Sequence, residues 1–333
     1  MTGVAAVPIC LIGGYLGAGK TTLINHLLRH AEGRRITVFV NDFGSINIDA
    51  DLIETIEGSK LSLANGCACC AVGGDLMNAL LALDQAVRDD PAAAPDHLVI
   101  EASGVADPWK IAQIGFAAST VTGGFRLDAI IVLTDALNLA AQLADKYVGE
   151  SVARQFAHAD LVVLNKADLA SPADLADAQS TIARLAPQAR VLKTSHGRLS
   201  PAILLEEDYP ERVFTPAASN ALSNGFLQSI SAGDAHGSYV SAAWQSATPI
   251  NRQAFEEALR ALPESVVRGK GIVQFEGEAT ATVWHRVGSR DTFRETPENT
   301  DISRWVLIAK GDAAGTLSGV FRRIGTSISR VQR

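Results

Sequence analysis

The sequence predicts an α/β fold with a mostly parallel sheet flanked by helices, followed by a small α+β domain. In the first two-thirds of the 333 residues, short β-branched runs alternate with longer helical patterns, as in a parallel sheet that helices cover on both faces. Runs such as DAIIVL and LVVLN are almost continuously apolar, which is typical of strands buried on both sides. After residue 207 the pattern changes, so we divide the chain into a first domain (1–207), a linker (208–237) and a second domain (238–333).

Local patterns of apolar residues predict the elements of the first domain. The predicted strands are Ile9–Ile12, Ile36–Val40, Leu98–Glu101, Ala129–Leu133, Leu161–Leu164 and Arg190–Lys193. The predicted helices include Thr21–Arg29, Asp75–Val87 and Ala173–Leu185. Two helix starts are well marked, because Ser171 and Ser200 each stand before a proline, which is the order of a capping serine and a proline at the first helical position.

The linker and the second domain differ from the first domain in composition and in apolar periodicity. Ser, Ala, Asn and Gly accumulate in the predicted linker, and the apolar periodicity fades there. An alternating run, Ser238–Trp244, and a predicted helix, Asn251–Leu262, come next. The runs GIVQFEG, TATVWHRV and RWVLIAKG predict three strands, and a helix near Leu317–Ile328 follows them. This order predicts a small α+β domain with an antiparallel sheet.

Composition and charge argue against several classes of protein. Hydrophobic residues make up 47% of the chain and charged residues 20%, which allows a large buried core. The net charge of −7 argues against a surface that coats nucleic acid and against a polybasic membrane anchor. No apolar run approaches the ~20 residues that a membrane span needs, and the first apolar stretch has no basic region before it. We therefore expect a cytoplasmic protein with no nucleic-acid or membrane partner.

A phosphate-binding motif follows the first predicted strand. The segment GYLGAGKT satisfies the pattern G-x-x-x-x-G-K-[ST], in which glycines let backbone N–H groups curl around phosphate oxygens. Lys20 offers a positive charge to the β- and γ-phosphates, and Thr21 offers a hydroxyl to Mg²⁺. The predicted nucleotide-binding residues here are Gly14, Gly17, Ala18, Gly19, Lys20, Thr21 and Thr22. This motif and its context predict a P-loop NTPase fold.

A second motif indicates guanine as the base. Asn165, Lys166 and Asp168 follow a strand and match the pattern N-K-x-D. The Asp168 carboxylate can accept two hydrogen bonds, from N1–H and the exocyclic amine of guanine, a donor pair that adenine lacks. Lys166 can lay its alkyl stem over the base. Ser195, in the pair Thr194-Ser195 after the next strand, either closes over the base or belongs to an ordinary loop.

Acidic residues after two other strands are candidates for sensing the γ-phosphate. Glu101 ends a strand, where an acid can bind Mg²⁺ directly or through water, and Gly104 can then present its N–H to the γ-phosphate. Asp42 and Asp49 follow the strand Ile36–Val40, and either residue could bind metal or orient the attacking water, or could belong to a solvated acidic loop. The predicted catalytic residues are therefore Lys20, Asp42, Asp49 and Glu101, with Thr21 and Glu101 as the candidate Mg²⁺ ligands.

Three of the four cysteines lie within four residues. Thiolates at Cys67, Cys69 and Cys70 are soft ligands that suit zinc, copper(I) and iron. Three ligands on one loop leave a coordination position open, which suits transfer of a metal, although a redox role without metal remains an alternative. The loop lies between the two candidate γ-phosphate sensors, so nucleotide state can change its geometry. The remaining cysteine, Cys10, is predicted to be a buried strand residue.

Taken together, these motifs resemble the CobW-like P-loop GTPases, which are related to the GTPases that mature urease and hydrogenase. The resemblance covers nearly the whole chain. It rests on the blocks GGYLGAGKTTLINHLL, NDFGSINID, NGCACC followed by DL, EASGVADP, QFAHADLVVLNKADL and ALPESVVRGKGIVQFEG. It implies a GTPase domain followed by a CobW C-terminal domain, with handling of Zn²⁺, Co²⁺ or Fe²⁺ for a client metalloprotein or for metal homeostasis.

The resemblance also implies roles for residues that match the motifs. It implies that Lys20 and Thr21 hold phosphate and Mg²⁺, that Glu101 is the acid of the second switch, and that the N-K-x-D residues bind guanine. It further implies that the cysteine loop carries the transported metal. Three departures stand out: Asp42 replaces the usual Glu, Ala68 replaces a larger aliphatic residue, and the seven histidines are scattered instead of forming a His-rich stretch.

We expect slow hydrolysis of GTP to GDP and phosphate, with metal occupancy coupled to the nucleotide and delivery to an unidentified client metalloprotein. A homo-oligomer is possible. Two alternatives remain open: a P-loop kinase that phosphorylates a small molecule, and a metal-binding or redox module whose nucleotide site is mainly structural.

Overall fold

The computed structural model describes residues 6–31, 33–40, 60–62, 74–205, 226–230, 239–296 and 302–310. The chain divides into two compact units, Met1–Glu206 and Glu207–Arg333. The division lies next to the end of the first domain expected from the sequence. The predicted closing helix near Leu317–Ile328 lies outside the described residues.

A sheet of seven described strands forms the centre of the first unit, and all of its pairings are parallel. The strands in chain order are β1 (Val7–Gly14), β2 (Ile36–Val40), β3 (Lys60–Ser62), β4 (His97–Glu101), β5 (Phe125–Asp135), β6 (Leu161–Asn165) and β7 (Arg190–Lys193). Their order across the sheet is β3-β2-β4-β1-β5-β6-β7. Every residue of β1, β2, β4 and β6 is buried, which explains their nearly continuous apolar sequences.

Helices flank this sheet and bury its apolar side chains. They are α1 (Lys20–Arg29), α2 (Gly74–Asp89), α3 (Pro108–Thr122), α4 (Leu139–Ala144), α5 (Gly149–Gln155), α6 (Pro172–Leu185) and α7 (Pro201–Leu204). One apolar cluster contains residues of α2 and α3 together with β1, β4 and β5, and another contains residues of α4, α5 and α6 together with β5 and β6. The order of the strands brings the carboxyl ends of β1, β4, β5 and β6 to one edge of the sheet, where loops can form a binding site.

Both predicted helix starts are present, but they differ in the hydrogen bonds that cap them. The Ser171 side chain accepts from the Asp174 N–H and the Asp174 carboxylate accepts from the Ser171 N–H, so α6 begins with a full capping box. Ser200 precedes Pro201 at the start of α7, which is only four residues long, and its side chain makes no capping hydrogen bond. Cys10 is buried in β1, as predicted.

The second unit contains an antiparallel sheet of six described strands and one described helix. The elements are β8 (Phe226–Ile230), β9 (Tyr239–Ser246), α8 (Arg252–Arg260), β10 (Val266–Val273), β11 (Thr282–Val287), β12 (Arg290–Glu295) and β13 (Ser303–Lys310). The sheet order is β12-β11-β10-β13-β9-β8. Phe255 of α8 packs edge-on against the rings of Phe275, Trp284 and Trp305, with centroids 5.5–5.7 Å away. These contacts hold the helix on the sheet.

Two expectations need correction, and two further observed strands had no counterpart in the prediction. The linker prediction is wrong for Phe226–Ile230, because this segment pairs with β9 even though polar and small residues surround it in the sequence. The strand predicted from GIVQFEG begins earlier and ends at Val273, where its pairing partners stop. The strands β3 and β12 were not predicted; β12 is polar and lies at an edge of the sheet, so it carries little apolar periodicity.

Within the described part of the chain, no helix has the length and apolar character required to cross a membrane.

Candidate nucleotide-binding site

The phosphate-binding motif forms the loop between β1 and α1. Gly14, Gly17 and Gly19 have φ angles of 135°, 77° and 102°, a region that side chains with a Cβ rarely adopt. A Cβ on Gly14 would also lie 2.3 Å from the carbonyl oxygen of Leu133. The motif therefore needs glycine at these positions for the loop to curl, and α1 begins directly behind it at Lys20. This arrangement presents backbone N–H groups and the positive end of a helix to an anion.

Lys20 and Thr21 lie where the phosphate chemistry is expected. Lys20 is buried, and its Nζ donates to the carbonyl oxygen of Gly14 at 2.9 Å, so its charge is held across the mouth of the loop. The Thr21 hydroxyl donates to Oε1 of Glu101 at 3.4 Å. Glu101 is almost fully buried at the end of β4, beside β1 in the sheet. The structure thus joins two residues that are 80 positions apart and that were predicted to share one ion.

The pair Thr21 and Glu101 fits a Mg²⁺ ion by the chemistry of its donors. Mg²⁺ prefers oxygen ligands, usually one or two from the protein, with the remaining positions filled by water and substrate phosphates. A hydroxyl and a carboxylate oxygen 3.4 Å apart supply such a pair. Among the described residues there is no group of three or more His, Cys, Asp and Glu side chains arranged to hold a metal. The predicted residues Asp42, Asp49, Cys67, Cys69 and Cys70 lie outside the described residues.

Asn165 joins the phosphate loop to the predicted base-binding loop. Its Nδ2 donates to the carbonyl oxygen of Ala18 at 2.9 Å, and its Oδ1 accepts from the N–H of Gly197 at 3.0 Å. The side chain is buried, and a Cβ on Gly19 would lie 2.4 Å from its Nδ2. The first residue of N-K-x-D therefore holds two separate loops together, in addition to any contact with nucleotide.

Asp135 at the end of β5 fixes the ammonium group of Lys166. The Nζ of Lys166 lies 2.7 Å from Oδ2 of Asp135, which also accepts from Asn138 at 2.8 Å. Burial raises the pKa of the Asp135 carboxyl, but hydrogen bonds from Lys166, Asn138 and the Leu137 N–H outweigh that effect and leave the pKa below its usual value. Lys166 itself has a φ of 58°, so its backbone turns sharply where the motif leaves β6.

The loop after β7 lies against the N-K-x-D loop. The Oγ of Ser195 accepts from the backbone N–H of Asp168 at 3.2 Å, and the carbonyl oxygen of Thr194 accepts from Ala167 N–H at 3.1 Å. Nε2 of His196 lies 3.7 Å from Oδ2 of Asp168. The two loops are therefore joined by hydrogen bonds, and Ser195 lies beside the backbone of Asp168.

Gly104 lies directly against the phosphate loop. A Cβ added to it would approach Leu16 at 2.5 Å (Cδ2) and 2.9 Å (backbone N), so only glycine fits there. The Gly104 carbonyl oxygen accepts from Nε2 of Gln155 at 2.9 Å. The predicted γ-phosphate-sensing segment and the phosphate loop are therefore in contact. Thr22 is exposed and follows Thr21 in the first turn of α1.

Sequence reasoning did not identify Asp135 or Gln155. Asp135 had an available signal. It ends an apolar strand, and Glu101 and Asn165 likewise stand at the carboxyl ends of strands in the same sheet. Gln155 had no such signal, because its contact with Gly104 spans 51 residues and depends on how α5 packs.

Comparisons with known proteins identify the family of both parts of the chain. Residues 8–193 match the family of the CobW/HypB/UreG nucleotide-binding domain, and residues 239–322 match the family of the cobalamin synthesis protein cobW C-terminal domain. The resemblance found in the sequence is thereby confirmed, for both the first domain and the second.

Curated relatives match over part of their length. The chain is 34% identical over 198 residues to a protein named zinc chaperone YjiA from Escherichia coli, covering 60% of this chain and 60% of that protein. It is 33% identical over 199 residues to a zinc-regulated GTPase metalloprotein activator 1 from Schizosaccharomyces pombe, covering 58% of this chain and 47% of that protein. It is 34% identical over 234 residues to a zinc chaperone CobW from Pseudomonas aeruginosa, covering 62% of this chain and 61% of that protein. The match therefore spans about half to three-fifths of each relative.

Among solved structures, a Zn(II)-bound YjiA GTPase from Escherichia coli aligns with a TM-score of 0.46 and 21% identity, covering 96% of this chain and 99% of that one.

Proposed function

The chain belongs to the CobW/HypB/UreG family of nucleotide-binding domains, and on this basis we propose that it is a GTP-hydrolysing metallochaperone. In this proposal it hydrolyses GTP to GDP and phosphate and uses the nucleotide state to control a transition-metal site. It then delivers the metal, with Zn²⁺ as the first candidate and Co²⁺ or Fe²⁺ as others, to a client metalloprotein.

One observation carries the nucleotide part of the proposal: the double hydrogen bond of Asn165. Its amide bonds the phosphate loop at Ala18 and the base-side loop at Gly197. A nucleotide whose phosphates lie in the first loop can therefore reach Asp168, which is three residues beyond Asn165. A carboxylate at this position favours guanine over adenine, because adenine would leave it unpaired. The N-K-x-D motif and the cysteine loop count against a P-loop kinase.

The residues in place can support hydrolysis by charge stabilisation and positioning. Water attacks the γ-phosphorus, the bond from that phosphorus to the bridging oxygen breaks, and GDP leaves with the charge on its β-phosphate. The Nζ of Lys20, now bonded to Gly14, is the side-chain cation for that developing charge. Thr21 and Glu101 would hold Mg²⁺, which supplies further positive charge to the phosphate oxygens when bound. Asp42 and Asp49 remain the candidates for orienting the attacking water.

The metal part of the proposal rests on the cysteine loop and on the names of relatives. Cys67, Cys69 and Cys70 provide three soft ligands and leave a coordination position for exchange. Proteins similar to this chain over about half to three-fifths of their length are named zinc chaperones and a zinc-regulated GTPase activator. These names favour zinc as the cargo over a redox role for the three thiols.

A direct test measures phosphate release from GTP and ATP by the wild type and by Lys20→Ala. We expect hydrolysis of GTP in preference to ATP, and a decrease of at least about 100-fold in Lys20→Ala. The matched control is Lys110→Ala, which removes an exposed lysine of α3 and should leave the rate unchanged. Equal rates in Lys20→Ala and wild type, or no GTP hydrolysis by either, would contradict the proposal. Transfer of the γ-phosphate to a small molecule instead of water would identify a kinase.

A further inference from the structure

Gln155 is a buried polar side chain that the nucleotide motifs do not explain. It ends α5 and is only 3% exposed. A buried carboxamide is costly unless it is hydrogen-bonded, so its partner is informative. Its Nε2 donates to the carbonyl oxygen of Gly104 at 2.9 Å, across 51 residues of sequence.

The segment that Gln155 holds is the loop between β4 and α3, residues 102–107. It begins after Glu101 and passes Gly104 at contact distance from Leu16 of the phosphate loop. A bond from the Ala106 N–H to the Ser103 carbonyl oxygen, at 2.9 Å, closes a turn within it. The segment already contacts the phosphate loop, so any further restraint on its backbone limits the directions that its N–H groups can take.

α5 and the residues just after it supply that restraint at several points. Besides the Gln155 bond, Ser151 Oγ lies 3.5 Å from the carbonyl oxygen of Val105. The ring of His158, three residues beyond Gln155, stacks on Trp109 in the first turn of α3 with centroids 4.0 Å apart. Of these contacts, the Gln155 bond is the one that is fully buried and that reaches Gly104 itself.

We propose that Gln155 is a positioning residue for γ-phosphate sensing. By holding the Gly104 carbonyl, it fixes the peptide group between Gly104 and Val105 and so restricts rotation at Gly104, whose own N–H is the group expected to face the γ-phosphate. This inference rests on the proposed function and deepens it, because it names a residue through which α5 controls the loop. Gln155 does not contact nucleotide; it acts through Gly104.

The test compares the binding of two nucleotides that differ in the γ-phosphate. Gln155→Met keeps the length of the side chain and removes the donor. We expect its affinity for GDP to stay within about twofold of wild type, since GDP has no γ-phosphate. Its affinity for a non-hydrolysable GTP analogue should fall by roughly tenfold, and kcat for GTP by roughly tenfold to a hundredfold, because a small misplacement of a catalytic group has effects of that size. Gln113→Met, which alters an exposed glutamine of α3, is the matched control.

A second variant keeps the inference testable if Gln155→Met does not fold. Gln155→Asn retains the amide but is one methylene shorter, so its Nδ2 cannot reach the Gly104 oxygen without movement of the loop. It should show the same selective loss of GTP-analogue affinity. A purely structural role would lower the Tm and weaken both nucleotides equally, and an unchanged ratio of GTP-analogue to GDP affinity in either folded variant overturns the inference. The ratio is a binding measurement, so it tests Gln155 even if the wild type does not hydrolyse GTP.

Discussion

Replacing Asn165 should weaken both nucleotide binding and the folded state, because its amide satisfies two buried backbone groups at once. In Asn165→Ala, the carbonyl of Ala18 and the N–H of Gly197 each lose their bond to this side chain. A buried polar group left without a partner costs about 1–3 kcal/mol, so the two together cost about 2–6 kcal/mol. A domain of this size loses about 2–4 °C of Tm per kcal/mol, which gives a decrease of at least about 4 °C.

The assay is a thermal melt of the nucleotide-free protein together with a titration with fluorescent GDP. Asn165→Asp is a second variant of nearly the same shape: it can still accept from Gly197, but its carboxylate faces the Ala18 carbonyl without a proton to donate. We expect GDP affinity to fall in both variants. Asn251→Ala is the control, because it removes an exposed helix cap in the second unit and should leave GDP affinity unchanged. An Asn165→Ala protein with the Tm and GDP affinity of the wild type would refute this role.

Three further predictions follow from the site and from the second unit. Asp168→Asn should weaken GTP binding by roughly 10- to 100-fold and improve binding of xanthosine triphosphate, whose 2-carbonyl can accept from the new amide; a competition titration checks this. The folded-state pKa of Asp135 lies below its usual value, so its contribution to stability is present above the unfolded pKa and is lost as the pH falls through the folded pKa. Denaturation curves between about pH 6 and 3 should therefore show wild type losing more stability than Asp135→Asn, and parallel losses would count against the ion pair with Lys166. In the second unit, Arg252→Leu removes a two-pronged bond to Glu278, at 2.7 and 2.8 Å, and should cost about 1 kcal/mol or less in urea denaturation, since both side chains are about one-third exposed.

Six of the seven described strands of the first unit could be predicted, because the apolar pattern of each lies within a few consecutive residues. Each of the six predicted strands lies within an observed one. Most of them are buried on both faces and therefore nearly continuously apolar, whereas β7 is only partly buried. The strand β12 escaped prediction because its sequence, RDTFRE, has charged residues on an edge of the sheet. A signal was nonetheless present: Gly288 and Ser289 form a two-residue link between β11 and β12, and Gly288 has a φ of 61°, as a tight hairpin turn requires.

In the candidate site, too, the features marked by sequence motifs could be predicted and the contacts that depend on the fold could not. The conformation of the phosphate loop could be predicted from the spacing of its glycines, because Gly14, Gly17 and Gly19 adopt the positive φ angles that such a loop requires. The proximity of Thr21 and Glu101 was predictable in outline, since Thr21 follows the loop after β1 and Glu101 ends the neighbouring strand β4. The contacts of Asp135 with Lys166 and of Gln155 with Gly104 were not predicted, because neither Asp135 nor Gln155 belongs to a nucleotide-binding motif. Such contacts depend on how the strands are ordered and how the helices pack.

The central claim, that nucleotide state controls a metal site, is tested most directly by a Co²⁺ and Zn²⁺ titration of the reduced protein. The titration is made with GDP and with a non-hydrolysable GTP analogue, in the wild type and in Cys69→Ala. We expect thiolate–Co²⁺ charge-transfer absorption that reports a Co²⁺ affinity differing between the two nucleotides, and we expect this absorption to be lost in Cys69→Ala. Identical metal affinity in GDP, GTP-analogue and nucleotide-free protein, or absorption that persists in Cys69→Ala, would contradict it.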